Sequence, residues 1–416
     1  MIITRPISAL TLALLFTVAL QAQVTDPAIT SWILNVNNTT GYSGLSANVQ
    51  QVNYTSTDVY VTCTCIPGYD IGPWAGNPNT PANQNFCFKI TRTPAEKTGT
   101  KTNTGLGHIG VWTNGVSIFN AKDAFSYNNG GIWNQDAYPN EGISFDDCLG
   151  HPAPNGEYHH HVNPRCLYDD QAATVHAPLI GYAFDGFPIY GAYAYDNPNG
   201  TGGITRMRTG YRLRNITDRT TLADGTVLQA GQYGPAISNQ YPLGKYIEDY
   251  EYVQGLGHLD QYNGRTCITP EYPAGTYAYF VTIDSNQAPV YPYTVGAQYY
   301  GVVNAGNTGP QGGHNTVPGN ATNYIPDIAN AVQENFITTA LSIYPNPAND
   351  RLYIATANAE PLSDIVLRDI TGRAVITLAN NTSTSPMVDV SGLSVGTYMV
   401  QAKAGNKTYI TRVLIN

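Results

Sequence analysis

Between Gly105 and Gly301 the chain keeps almost no helical repeat over three turns. Apolar residues recur instead in short runs broken by Gly, Pro and Asn, as in Gly110-Val-Trp-Thr-Asn-Gly-Val-Ser-Ile-Phe-Asn120. Frequent turns leave no room for long helices, and short runs of branched and aromatic residues favour strands. The pattern begins upstream, where Val49–Val61 alternates apolar and polar residues and Asn85–Thr91 reads as another strand. Only 12% of the 416 residues are charged, against 41 Gly, 27 Pro and 31 Tyr, which suits a turn-rich β protein. The expected fold class is therefore mostly β: an irregular, disulfide-containing β domain or domains, followed by a small C-terminal β-sandwich. A net charge of −9 argues against a nucleic-acid partner.

Met1–Ala22 reads as a secretory signal peptide, with Arg5 as the positive end, Leu10–Leu20 as the apolar core, and Ala19 and Ala22 as the small residues before cleavage. No other stretch has the length of a membrane span. Export through an oxidising space makes disulfides the default for the six cysteines, which allow fifteen pairings. Cys148–Cys166 is the favoured pair, with one of Cys63 or Cys65 joined to Cys87 and Cys267 taking the remaining thiol. Metal binding by Cys63 and Cys65 is the weaker alternative.

Four of the eight histidines lie between Asp146 and Cys166. If Tyr158–Val162 is extended, His159 and His161 share one face and Tyr158 and His160 the other. Two imidazoles on one face can hold a metal ion, and His151 can return as a third across the turn Pro152–Gly156. Imidazole-rich ligation suits Zn(II) or Cu(II), whereas calcium would leave the histidines unexplained. Asp146 or Asp147 could ligate or orient a ligand, and Asp147 is the candidate base if a metal-activated water does chemistry. The plain alternative is a solvated polar turn closed by the Cys148–Cys166 disulfide.

Other candidates have ordinary explanations. His108, His176 and His258 suit hydrogen-bonded or surface positions, and Asp185 suits an Asp-Gly turn. No nucleophile elbow, metalloprotease helix, P-loop or dinucleotide fingerprint is present. The tyrosines leave a second class open, a non-enzymatic adhesion module recognising a glycan or other extracellular polymer.

A weak internal echo accompanies these motifs. Gly105-Leu-Gly-His108 recurs as Gly255-Leu-Gly-His258, and Asn155–His161 finds a counterpart in Pro273–Tyr279. If this records a duplication, the second copy has lost its histidines and is structural.

Two resemblances follow from longer motifs. Asp146-Asp-Cys-Leu-Gly-His151 with Tyr158-His-His-His161 resembles the hallmark of the YHYH-domain family of secreted proteins, named for Tyr-His-Tyr-His. Pro178–Gly191, Gly110–Asn120 and Tyr291–Gly296 are similar to its other blocks, so the resemblance covers about Gly105–Gly301. The chain departs from the motif at His160, where the family has tyrosine. Near the C-terminus, Tyr344-Pro-Asn-Pro347, Asp369-Ile-Thr-Gly-Arg373 and Leu393-Ser-Val-Gly-Thr-Tyr398 resemble the type A sorting domain of the type IX secretion system. That resemblance implies a Bacteroidota source, handling by the type IX machinery, and a secreted or cell-surface product.

The expected organisation is a signal peptide (1–22), an N-terminal β region continuous with the main domain (23–104), the motif-bearing domain (105–303), a Gly/Asn-rich linker (304–338) and the sorting sandwich (339–416). The expected function is binding of a transition-metal ion by His151, His159 and His161. The expected partners are the type IX machinery and an extracellular polymer or small-molecule substrate.

Overall fold

The computed structural model describes residues 24–309, 312–326, 341–356, 360–369, 373–379, 383–404 and 407–416. The signal segment, and the part of the expected linker at 327–338, lie outside them. Backbone contacts divide the chain into two compact units, Met1–Pro326 and Asp327–Asn416. Strands dominate both; among the described residues the α-helices are two short ones, Pro27–Thr30 and Ala137–Glu141.

The first unit opens with an antiparallel sheet of β1 (Val49–Tyr54), β2 (Asp58–Cys63) and β3 (Phe86–Thr91). In β3 the alternation is regular: Phe86, Phe88 and Ile90 are buried, and Cys87, Lys89 and Thr91 are not. The larger sheet has eight strands: β4 (His108–Trp112), β5 (Ser117–Phe119), β6 (His151–Pro152), β7 (Tyr158–His160), β8 (Leu179–Ala183), β9 (Pro188–Tyr190), β10 (Gly264–Cys267) and β11 (Thr276–Phe280). Their order in space is β10-β11-β9-β8-β4-β5-β7-β6. Every residue of β4 and β8 is buried, which is why these segments read as continuous apolar runs rather than as alternation. One core joins Val52, Val59 and Phe88 of the first sheet to Val111, Trp112, Tyr182 and Tyr279 of the second.

Two expectations need correction. Residues 304–309 and 312–326 do not act as a linker, because they cover both edges of the first sheet, β3 and β1. The Asn307 side chain accepts from the Lys89 N–H at 2.9 Å and donates to the Lys89 carbonyl at 2.6 Å, taking the place of a neighbouring strand. The His314 ring packs on Phe86, and Thr322–Asn323 pairs with β1. The cysteine pairing also differs. Cys148–Cys166 forms as expected, but Cys63, Cys65, Cys87 and Cys267 remain thiols. Register explains the failure: Cys87 lies opposite Thr62, so its side chain and that of Cys63 leave the sheet on opposite faces. Cys65 turns inward, and its thiol donates to the Tyr158 carbonyl at 3.1 Å.

The second unit has two sheets about one core. Leu341–Tyr344, Arg351–Thr356 and Met387–Asp389 form the first, and Ala374–Leu378, Ser363–Arg368, Gly396–Ala404 and Lys407–Ile415 the second. Leu352, Ile354, Ile365, Leu367, Val400 and Val413 fill the space between them.

Candidate metal centre

The cluster is built where β7 enters the large sheet. β7 runs parallel to β5, with Ser117 opposite His159 and Ile118 opposite His160. On its other side it pairs with β6, which sets His151 directly opposite His159. The turn before β6 is knotted at Asp146. Its carboxylate accepts from the N–H groups of Cys148, Gly150 and Gly72, the Trp74 indole and the Tyr158 hydroxyl. Gly150 can be nothing else, since a Cβ there would lie 2.4 Å from the Tyr158 hydroxyl oxygen. The Cys148–Cys166 disulfide closes the loop that carries both histidine segments.

Strand alternation then sorts the histidines. His159 and His161 point to the side that His151 reaches, and His160 points to the other. The Nε2 atoms of His151 and His159 are 3.1 Å apart, as are those of His159 and His161. One ligand atom from each of the three lies within 4.8 Å of the other two. The opposite ring nitrogens are all engaged: His159 Nδ1 with the Glu157 carbonyl at 3.1 Å, His161 Nδ1 with the Asn120 carbonyl at 2.6 Å, and His151 Nδ1 with the Ser144 hydroxyl at 2.8 Å. A carbonyl can only accept, so Nδ1 carries the proton in His159 and His161, and their Nε2 lone pairs face one another. Burial, reinforced by the neighbouring imidazoles, holds His159 well below the ordinary imidazole range and pulls His161 down to about 4. Both are therefore neutral at neutral pH, the form that binds metal. Phe119 stacks on His159 with ring centres 3.8 Å apart and fixes its plane.

A fourth group comes from outside the motif. Glu141 ends the helix Ala137–Glu141, whose N-cap is Asp136. Its Oε2 lies 3.2 Å from His151 Nε2 and 3.5 Å from His161 Nε2. Behind it stands Asp123, whose pKa is pushed up to about 7 by burial and by hydrogen bonding to Glu141. Burial alone would raise Glu141 too. Hydrogen bonds from His151 and Asp123 outweigh it and hold that carboxylate low, so Asp123 keeps the proton of the pair. Tetrahedral ligation with bonds of about 2.0–2.1 Å separates ligand atoms by about 3.3 Å. Four of the six ligand-atom spacings, 3.1–3.5 Å, bracket that value, so the cluster could hold a metal ion.

The structure thus brings His151, His159 and His161 together and leaves Asp147 out. Asp147 is exposed on the turn, and its position lends no support to a role as base. Asp146 is fully engaged in the loop. Asp185 is buried and accepts from the Tyr279 hydroxyl and the Gly301 N–H, a structural use. Glu141 and Asp123 escaped the sequence reading because no local spacing ties them to the histidines.

Fold and site define a β protein with a buried three-histidine centre, followed in sequence by a separate small β module. Residues 87–292 match the YHYH protein family, and residues 342–416 match the secretion system C-terminal sorting domain, so the chain is a YHYH-domain protein bearing a type IX sorting domain. That tail makes it a secreted or cell-surface protein handled by the type IX machinery. Among the described residues no helix is long and apolar enough to cross a membrane. No match was found among curated proteins.

Proposed function

We propose that the protein binds one transition-metal ion outside the cell, Zn(II) or Cu(II) by donor type, through Nε2 of His151, His159 and His161, with the Glu141 carboxylate as the fourth donor. One observation carries the reading. Neutral His159 and His161, their Nδ1 protons anchored on carbonyls, face each other through Nε2 lone pairs 3.1 Å apart, an arrangement that is repulsive unless a cation lies between them. The carboxyl proton held on Asp123 keeps Glu141 anionic beside that cation. Titrating chelator-stripped protein with Zn(II) or Cu(II) by calorimetry tests it. A single saturating site that Glu141→Gln weakens at least tenfold is expected; absence of saturable binding for both ions would defeat the proposal.

A second reading, recognition of a glycan or similar polymer, has one feature in its favour. A groove of about 400 Å³ is lined by Tyr138, Tyr250, Tyr291 and Tyr293, and Tyr138 sits one turn before Glu141 on the same helix. Tyrosine faces suit sugar rings. Glycan binding that persists in chelator would support this use.

A further inference from the structure

We infer that the main unit contains two copies of one strand motif, and that each copy builds a seat for one cation: a metal ion at the histidines in the first, and the guanidinium of Arg265 in the second. The metal half rests on the function proposed above; the duplication stands on its own observations.

The large sheet reads the same from either end about the β4–β8 pair. On each side a hairpin (β4–β5, β8–β9) is followed by a parallel strand (β7, β11) and an antiparallel one (β6, β10). The two halves meet antiparallel, with Gly181 opposite Trp112 and Ala183 opposite Gly110. The hairpin sequences align without a gap, Gly110-Val-Trp-Thr-Asn-Gly-Val-Ser-Ile-Phe-Asn120 on Gly181-Tyr-Ala-Phe-Asp-Gly-Phe-Pro-Ile-Tyr-Gly191. Their turns are built alike. Gly115 and Gly186 have φ of +81° and +86°. Asn114 Oδ1 accepts from Val116 N–H at 3.1 Å, and Asp185 Oδ1 from Phe187 N–H at 3.3 Å. Past the hairpins, Ala137 N–H donates to the Ala121 carbonyl and Met207 N–H to the Ala192 carbonyl, both at 2.8 Å.

The loop knots agree as well. Asp260 accepts from the N–H groups of Tyr262 and Gly264 at 2.9 and 3.2 Å, as Asp146 does from Cys148 and Gly150 at 3.0 and 3.1 Å. The Tyr277 hydroxyl meets both Asp260 oxygens at 3.0 and 3.1 Å, as the Tyr158 hydroxyl meets those of Asp146. A Cβ on Gly264 would lie 2.4 Å from the Tyr277 hydroxyl, the distance found for Gly150 and Tyr158. Tyr158 therefore corresponds to Tyr277, one place beyond the match suggested by the sequence echo. The other half of that echo is coincidence: His108 opens β4, whose counterpart β8 begins at Leu179, while Gly255–His258 lies in a turn.

This correspondence places Arg265 where the first copy has His151, Ala278 where it has His159, and Phe280 where it has His161. The strand registers agree, since Arg265 is opposite Ala278 as His151 is opposite His159. Arg265 is 8% exposed, with its Cζ 5.6 Å from the centre of the Phe280 ring. It donates to the carbonyls of Asp196 (3.1 Å) and Tyr195. Ala278, opposite it in register, carries only a methyl group. A positive charge thus sits in the second seat without any ion from solution.

The direct test restores the histidines with Arg265→His, Ala278→His and Phe280→His in the full chain and counts Zn(II) by elemental analysis. Two ions per chain against one in the wild type are expected. One ion in a variant with wild-type circular dichroism would overturn the duplicate seat and leave the first site standing. No ion in the wild type would strike the metal proposal instead. If the triple variant does not fold, Arg265→Ala decides: its melting temperature should fall by several degrees and recover by at least half in millimolar methylguanidinium, but not in equal sodium chloride. Absence of rescue would overturn the cation seat.

Discussion

The Tyr158 hydroxyl lies 2.9 and 3.1 Å from the two carboxylate oxygens of Asp146, on the face of β7 opposite His159 and His161. One strand therefore ties down the loop with one face and presents imidazoles with the other. Removing that hydroxyl leaves a buried carboxylate short of a donor, at a cost of about 1–3 kcal/mol. Asp146 keeps four other donors, so Tyr158→Phe should fall near the lower end. Urea unfolding followed by tryptophan fluorescence should show the lower midpoint; an unchanged one would contradict the role given to Asp146.

The disulfide holds the same loop. Its sequence separation of 18 corresponds to about 3 kcal/mol in the chain-entropy model. Cys148→Ser with Cys166→Ser should lose that much stability and weaken metal binding, because His151 is carried by the closed loop. Peptide mapping of alkylated native protein should find this single cross-link. Label should reach Cys63, Cys65 and Cys267 only after unfolding, and Cys87, which is half-buried, sooner. A Cys63–Cys87 linkage would contradict the register of β2 and β3.

Several buried carboxyls give the main unit an unusual pH profile. Burial pushes Asp136 up to about 8, Glu248 to about 7 and Asp185 to about 6. Their folded values lie above the unfolded ones, so their contribution is present in full below about pH 4 and is lost as pH rises through 6 to 8. The buried histidines work in the opposite sense: their folded values lie below the unfolded ones, so their contribution is lost as pH falls below about 6.5. The carboxyl contribution is therefore read by mutation: with chelator present, the melting temperature of Asp136→Asn should rise relative to that of the wild type between pH 5 and pH 8. A constant difference between the two proteins would contradict the assignment to Asp136.

His160 marks where this chain departs from its family. Both of its ring nitrogens, and Asn114 Nδ2, are buried without a hydrogen-bond partner. In the second copy the corresponding Tyr279 hydroxyl donates to Asp185 at 2.6 Å. His160→Tyr should place a hydroxyl beside Asn114 and raise the melting temperature, leaving metal content unchanged. A drop in melting temperature would show that the two positions are not equivalent.

The site was half legible in the sequence. Alternation along Tyr158–His161 separates His160 from its neighbours because strand geometry has a fixed period of two. Glu141 was invisible because it reaches the centre from a helix end packed across the fold. The linker reading failed for a related reason. Gly, Asn and Pro make 304–326 look solvated, but the Asn307 amide pairs with the Lys89 backbone as a strand would. The cysteine error lay in register, which places Cys87 against Thr62 and which no spacing reveals. The duplication was faint because a long segment between Met207 and Asp260 interrupts the second copy, and part of it packs on the first, with Lys245 Nζ 2.6 Å from Asn140 Oδ1.

Metal content of single histidine variants, purified identically and measured by elemental analysis, tests the central claim most directly. The wild type should carry one ion per chain. His159→Ala and His161→Ala should lose most of it, and His160→Ala should keep it. Equal loss in all three variants, or no metal in the wild type, would contradict a centre built by the two faces of one strand.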